Sequence, residues 1–144
     1  MIEAARIKRI YQHSLERVYE AFSNKEYFGQ WIAPSDDINT NVLIYDFRIG
    51  GQYKLAFDIP QIGHQILSGE FIHIQPLQQI CFTWGWEDQE IQVEVSSLVT
   101  ADFLYHNGET ELVITHEKLP SLQERKRHDL GWQHSLERLN NFLE

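Results

Sequence analysis

The stretch SLQERKRHDLGWQHSLERLNNFLE, residues 121–144, limits what this chain can fold into more than any other part of it. Ser121 and Glu124 have the spacing of a capping box, in which the serine side chain takes one free backbone N–H and the glutamate returns to another. Pro120 sits just outside, where it cannot extend a helix backwards. At about 100° per residue, Trp132, Leu136, Leu139 and Leu143 fall on one narrow stripe, and Asp129 and Arg125 continue it toward the start. The inner face is therefore apolar at the C-terminal end and polar over the first turns. A helix laid on a closed core has no need of an arginine and an aspartate there. A helix laid over a hollow, with its first turns at the mouth, does.

The residues before it supply the surface such a helix would cover. Residues 2–11 alternate (Ile7, Arg9 and Tyr11 against Lys8 and Ile10) and predict a first strand. Ser14 offers an N-cap for a helix carrying Leu15, Val18, Tyr19 and Phe22, and Asn24 offers a second cap for a short helix through Trp31. From residue 38 the period changes from 3.6 to 2. Residues 42–47 read as a strand, Gly50-Gly51 as a turn, and Tyr53, Leu55, Phe57 and Ile59 as one face of the next strand. Pro60 and Gly63 mark another turn. Residues 65–74 follow as a strand of ambiguous parity, because Phe71 and Ile72 both call for burial. Ile80, Phe82, Trp84 and Trp86 share a face. A long strand with Ile91, Val93, Val95, Val99, Ala101, Phe103 and Tyr105 on its odd side turns at Asn107-Gly108 into residues 111–117. The order is β-α-α-β-β-β-β-β-β-α. It implies α+β architecture in which a strongly curved antiparallel sheet of six to seven strands wraps the long C-terminal helix, an arrangement that tends to leave an internal hollow.

The length of 144 residues suits one domain spanning 1–144, with no repeat or linker. The N-terminus lacks the apolar core of a signal peptide and no run is long enough to cross a bilayer, so a cytoplasmic protein without membrane insertion is expected. One cysteine, Cys81, excludes an internal disulfide and a cysteine-based metal knuckle. A formal charge of −9 disfavours nucleic acid and anionic membranes as partners.

Several motifs together resemble a known family. They are Gln30-Trp31 followed by Ala33-Pro34, the run from Arg48 to Tyr53 (RIGGQY), Gly69-Glu70-Phe71 running to Pro76, and Phe82-Thr83-Trp84. The ending comprises Gly108 to Leu112 (GETEL), Thr115-His116-Glu117, Gly131-Trp132 and Leu136 to Leu139 (LERL). The chain resembles the homologues of the activator of heat-shock-protein-90 ATPase, within the START-like (SRPBCC, Bet v-like helix-grip) superfamily. Where many of those relatives carry two adjacent aromatics, this chain has Trp31-Ile32. The resemblance implies a helix-grip fold with a deep apolar cavity between sheet and C-terminal helix. It leaves function open among carriers of apolar ligands such as lipids, polyketide cyclases and partners of a chaperone in the stress response.

Candidate site residues follow from both lines. Trp31, Trp84 and Trp132 would line the hollow, with Tyr53 and Phe57 beside them, or else simply fill the core. His116, on the apolar side of its strand, would orient a ligand or act as a general base, or would be a half-buried histidine bonded to a neighbour. Arg125 and Asp129 would form the polar rim, with Arg125 available to an anionic head group, or would be a surface i, i+4 pair. No metal site or cofactor is expected, since no histidine pair has helical ligand spacing, and a G-x-S-x-G nucleophile motif is missing. The expected activity is non-enzymatic binding of a small apolar or amphipathic molecule. The alternatives are a cyclase- or hydratase-like enzyme using His116, and a chaperone-associated module; a homodimer is compatible with each.

Overall fold

The structure is a computed structural model that describes residues 2–87 and 97–144. Among these residues the order is β1 (Ala5–Tyr11), α1 (Leu15–Ser23), α2 (Lys25–Trp31), β2 (Asn39–Tyr45), β3 (Gln52–Ile59), β4 (Gly63–Gln75), β5 (Gln79–Glu87), β6 (Ser97–His106), β7 (Glu109–Glu117) and α3 (Leu122–Leu143). The strands form one antiparallel sheet in the order β1-β7-β6-β5-β4-β3-β2. Strands β2 to β7 are a meander, and β1 closes the far end by pairing with β7. The α+β helix-grip architecture expected from the sequence is the one observed. Of the long strand expected from residue 91, the part carrying Ile91, Val93 and Val95 lies outside the described residues.

Local chemistry explains most boundaries. Ser14 caps α1, its Oγ accepting from the Arg17 N–H at 3.2 Å. Asn24 both ends α1, its own N–H donating to the Glu20 carbonyl, and starts α2, its side chain accepting from the Glu26 N–H at 2.9 Å. Asn107 and Gly108 have φ of 48° and 84°, the left-handed pair that a two-residue hairpin turn requires.

Two strands differ from their expected form, and both carry a register shift. In β4 the pairing steps from Phe71↔Phe82 to His73↔Cys81, so one extra residue is accommodated on β4. That insertion resolves the parity conflict: Phe71 is buried and Ile72 is 45% exposed. Strand β2 begins at Asn39 rather than 42, and its register shifts between Val42 and Ile44. As an edge strand it leaves Leu43 and Ile44 exposed, where sequence hydrophobicity alone would bury them.

Helix α3 crosses the concave face of the sheet. Ser121 caps it, accepting from the Glu124 N–H at 3.1 Å. The Glu124 carboxylate turns to Arg127 and His128 instead of completing the capping box. Leu136 and Leu139 are fully buried, each burial worth about 1.5–3 kcal/mol. The rotation of the helix is held from a distance. The Tyr11 hydroxyl donates to the Leu136 carbonyl at 2.8 Å, and the Arg17 guanidinium donates to the Leu143 carbonyl at 2.9 Å. No helix among the described residues is long and apolar enough to cross a membrane.

Candidate functional site

Between the first half of α3 and the sheet lies a cavity of about 310 Å³. Its sheet wall is Phe57 and Ile59 of β3 with Trp84 and Trp86 of β5, and its helix wall is His128, Gly131, Trp132 and Ser135. The loop after α2 adds Ile32, Ala33, Pro34 and Ile38, while Ile62, Gln65 and Arg127 also border the hollow. That loop is fastened to α3 at two points. Ser135 Oγ accepts from the Ala33 N–H at 3.1 Å and donates to the Ala33 carbonyl at 2.8 Å. Arg138 donates to the Trp31 and Gln30 carbonyls at 3.3 and 3.0 Å, capping the C-terminus of α2.

Five rings pack at the inner end of this cavity. Trp84 lies 5.2 Å from both His116 and Trp132, 6.0 Å from Trp86 and 6.2 Å from His128, ring centre to ring centre. The two imidazoles face each other edge-on at 5.0 Å. The tautomers follow from the partners. An indole can only donate, so Trp132 Nε1–H at 3.0 Å makes His116 Nδ1 an acceptor. The His116 proton is then on Nε2, facing Ser97 Oγ at 2.7 Å, and Ser97 passes its own proton to the Trp84 carbonyl at 3.0 Å. By the same logic Trp86 Nε1–H, at 3.0 Å, makes His128 Nε2 an acceptor and leaves its Nδ1–H to the Glu124 carbonyl at 2.7 Å. Burial pushes His116 down to about 3, with the neighbouring His128 adding in the same direction. Burial also lowers His128, against the opposing pull of its bond to the Glu124 carbonyl and of the nearby carboxylate. Both rings are neutral acceptors whose lone pairs are occupied. Neither is placed to take a proton from a substrate.

The structure brings together three of the candidate residues at the wall, Phe57, Trp84 and Trp132, and sets the others elsewhere. His116 lies one layer behind, fully buried beneath Trp84 and Trp132. Trp31 belongs to a second aromatic cluster with Phe22 and Phe28, and its indole donates to the Ala21 carbonyl at 2.8 Å. Tyr53 is committed to the sheet: its ring covers Gly69 across β3 and β4, and its hydroxyl donates to the Thr83 carbonyl at 2.6 Å. Arg125 and Asp129 do not pair with each other; Asp129 accepts from Gln133 at 3.1 Å. The cavity-facing stripe of α3 is His128, Trp132 and Ser135, turned by roughly 60° from the one containing Arg125, at 3.6 residues per turn. Only Trp132 lies on both. The arginine that borders the cavity is Arg127 rather than Arg125.

Sequence reasoning passed over Trp86 and His128 as site residues. Signals for both were present. Trp86 shares strand parity with Trp84, and His128 stands one helical turn before Trp132. Among the described residues no group of three or more histidine, cysteine, aspartate or glutamate side chains is placed to hold a metal ion.

The curved antiparallel sheet and the long C-terminal helix together define a helix-grip protein of the START-like kind, a fold that commonly binds ligands. The chain belongs to the family described as Activator of Hsp90 ATPase homolog 1-like protein, which matches residues 12–144. No curated protein matches it. Among solved structures it is similar to protein CV1439 from Chromobacterium violaceum, 27% identical over 100% of this chain and 99% of that one, with a TM-score of 0.89. It is also similar to the AHSA1 protein from Silicibacter pomeroyi, 25% identical over 97% and 96% of the two chains, with a TM-score of 0.86. CalU16 from Micromonospora echinospora shares the fold at 20% identity, over 96% of this chain and 74% of that one, with a TM-score of 0.70.

Proposed function

We propose that this protein binds a small apolar or amphipathic molecule in the cavity between α3 and the sheet, without transforming it. The observation that carries the reading is the cavity itself: about 310 Å³, walled by Trp84, Trp86, Trp132, Phe57 and aliphatic side chains. That volume reaches the lower end of the range usual for small-molecule sites, roughly 300–1,000 Å³. The ligand is therefore small, on the scale of a bicyclic aromatic or a short acyl chain. Arg127, exposed at the rim, supplies a cation for the head group of an amphipathic ligand.

The absence of reaction is supported by the chemistry of the histidines. A general base needs an accessible lone pair near its working pH. His116 and His128 have theirs occupied by indole N–H groups, and burial holds both below the ordinary histidine range. The reading requires neither a chaperone partner nor a homodimer.

Native mass spectrometry of freshly purified protein, combined with thermal-shift screening of a lipid and aromatic library, tests the proposal. A co-purifying small molecule, or a raised melting temperature with compact apolar compounds, is expected. Protein that carries nothing and shifts with no compound would sink it.

A further inference from the structure

His128 of α3 and Trp86 of β5 both border the cavity, and one hydrogen bond of 3.0 Å joins them. An indole can only donate, so the bond needs a bare lone pair on His128 Nε2. The one N–H of Trp86 is spent on it. Trp86 also borders an outer hollow of about 870 Å³, together with Lys54, Glu87, Glu124 and Arg127. Open space therefore adjoins this indole from two hollows. Its place in the wall rests on the bond to His128 and on packing against Phe57 and Trp84, at 5.6 and 6.0 Å between ring centres.

Adding a proton to His128 changes the wall in two ways. Nε2 gains a hydrogen that faces the indole N–H, so an attractive contact becomes a repulsive one. A positive charge also appears beside a hollow lined mostly by aromatic and aliphatic side chains, where an apolar ligand would strip it of water. Both effects oppose an apolar ligand. By linkage, the same ligand makes the ring harder to protonate.

The neighbours of His128 among the described residues set where this happens. On its own helix, the Glu124 carboxylate lies 3.6 Å from Nδ1 and the Glu124 carbonyl 2.7 Å away. Both favour the charged ring, and Arg127 opposes it. From β7 comes His116, 5.0 Å away ring to ring, which stays neutral down to about 3. From β5 come Trp84 and Trp86, which do not titrate. Lys54 of β3 and Glu87 of β5, paired at 3.4 Å, border the outer hollow with Glu124 and Arg127. Burial outweighs the carboxylate, so His128 is neutral at neutral pH and takes its proton below the ordinary histidine range.

We infer that His128 is a pH latch on the cavity, which holds an uncharged apolar ligand while the imidazole is neutral and releases it when the ring is protonated. This rests on the reading of the cavity as a ligand site and adds how that site is regulated. Above the ordinary histidine range the ring is neutral with or without ligand, and affinity is flat. As pH falls, the empty protein takes up a proton that the loaded protein refuses, and affinity falls with it.

The test titrates the full chain with N-phenyl-1-naphthylamine, a fluorescent apolar probe that stays uncharged over the range used. Binding is expected to be about fourfold weaker at about pH 5 than at about pH 8. In ¹⁵N-labelled protein, the Trp86 indole signal is expected to shift as His128 takes up its proton, and the probe should move that titration to lower pH. His128→Gln, which does not titrate, is expected to lose the pH dependence, whatever its affinity. Equal affinities at the two pH values, or a pH dependence that survives in His128→Gln, overturn the latch and leave the cavity reading standing. Failure of the probe to bind at either pH overturns the two together. Should His128→Gln not fold, the imidazole titration of the unmodified protein decides the matter, and coincident curves with and without probe overturn the latch.

Discussion

The indole N–H of Trp132 donates to Nδ1 of His116 across 3.0 Å, joining the middle of the long helix to the seventh strand inside a shell of aromatic rings. A helix residue and a strand residue are thereby locked in one relative position and one tautomer. The bond works only while the imidazole is neutral, because a protonated ring presents N–H to N–H. From this pairing and its neighbours come four expected outcomes.

Stability should fall as pH drops below the ordinary histidine range. His116 is held down to about 3 in the folded chain, against 6.5 for an unperturbed histidine. Between these values the unfolded chain binds a proton that the folded chain refuses, so acid favours unfolding. The contribution is intact above about pH 6.5 and is lost as pH falls toward about 3, at up to about 1.4 kcal/mol per pH unit for one such group. His128, also lowered, adds to the same slope. Urea unfolding at a series of pH values should show it, and His116→Gln should flatten it.

Ser135→Ala should loosen the cavity's loop wall. The substitution leaves the buried Ala33 N–H and carbonyl without their partner. The expected cost is about 1–3 kcal/mol. Hydrogen exchange at the Ala33 amide should accelerate, while β6 and β7 remain protected.

Gly131 offers a way to separate stability from binding. A Cβ added there would meet Pro34 Cβ at 3.7 Å, an ordinary contact. Gly131→Ala should therefore stabilise the protein by up to about 1 kcal/mol through helix propensity. Gly131→Leu extends a side chain into the cavity and should abolish the thermal shift expected with compact apolar compounds, with the far-ultraviolet circular dichroism spectrum unchanged.

Gly69→Ala should be among the most damaging single changes. A Cβ at Gly69 would stand 2.0 Å from the Thr83 carbonyl oxygen and 2.6 Å from the Tyr53 ring. The clash is with backbone as well as side chain, so about 3 kcal/mol or more of destabilisation is expected. Measured loss under 1 kcal/mol would mean that Tyr53 does not pack over Gly69 as described.

Much of the fold was legible because its determinants are local. Ser14, Asn24 and Ser121 act on backbone groups two or three residues away, and Asn107-Gly108 acts within its own turn. The change of period at residue 38 needs no partner to be read. Bulges were not legible, since the extra residue at Ile72 is defined by the strand it fails to pair with. The cavity lining divides in the same way. Trp84, Trp132 and Phe57 border the cavity, as strand parity and helical stripe point them inward; Trp31 and Tyr53 point inward too, yet spend themselves on Ala21, Gly69 and Thr83.

The sequence by itself therefore determined the order of elements, their caps and turns, and a long helix whose inner face changes character partway. The tertiary structure alone decided how that helix is rotated, and with it which side chains bound the hollow. Its rotation is set by Tyr11 bonding to Leu136 and Arg17 to Leu143, contacts that span 125 and 126 positions. A turn of roughly 60° brings His128 and Ser135 to the cavity beside Trp132 and carries Asp129 away from it. Periodicity specifies a helix up to rotation about its axis, and only packing against distant partners removes that freedom.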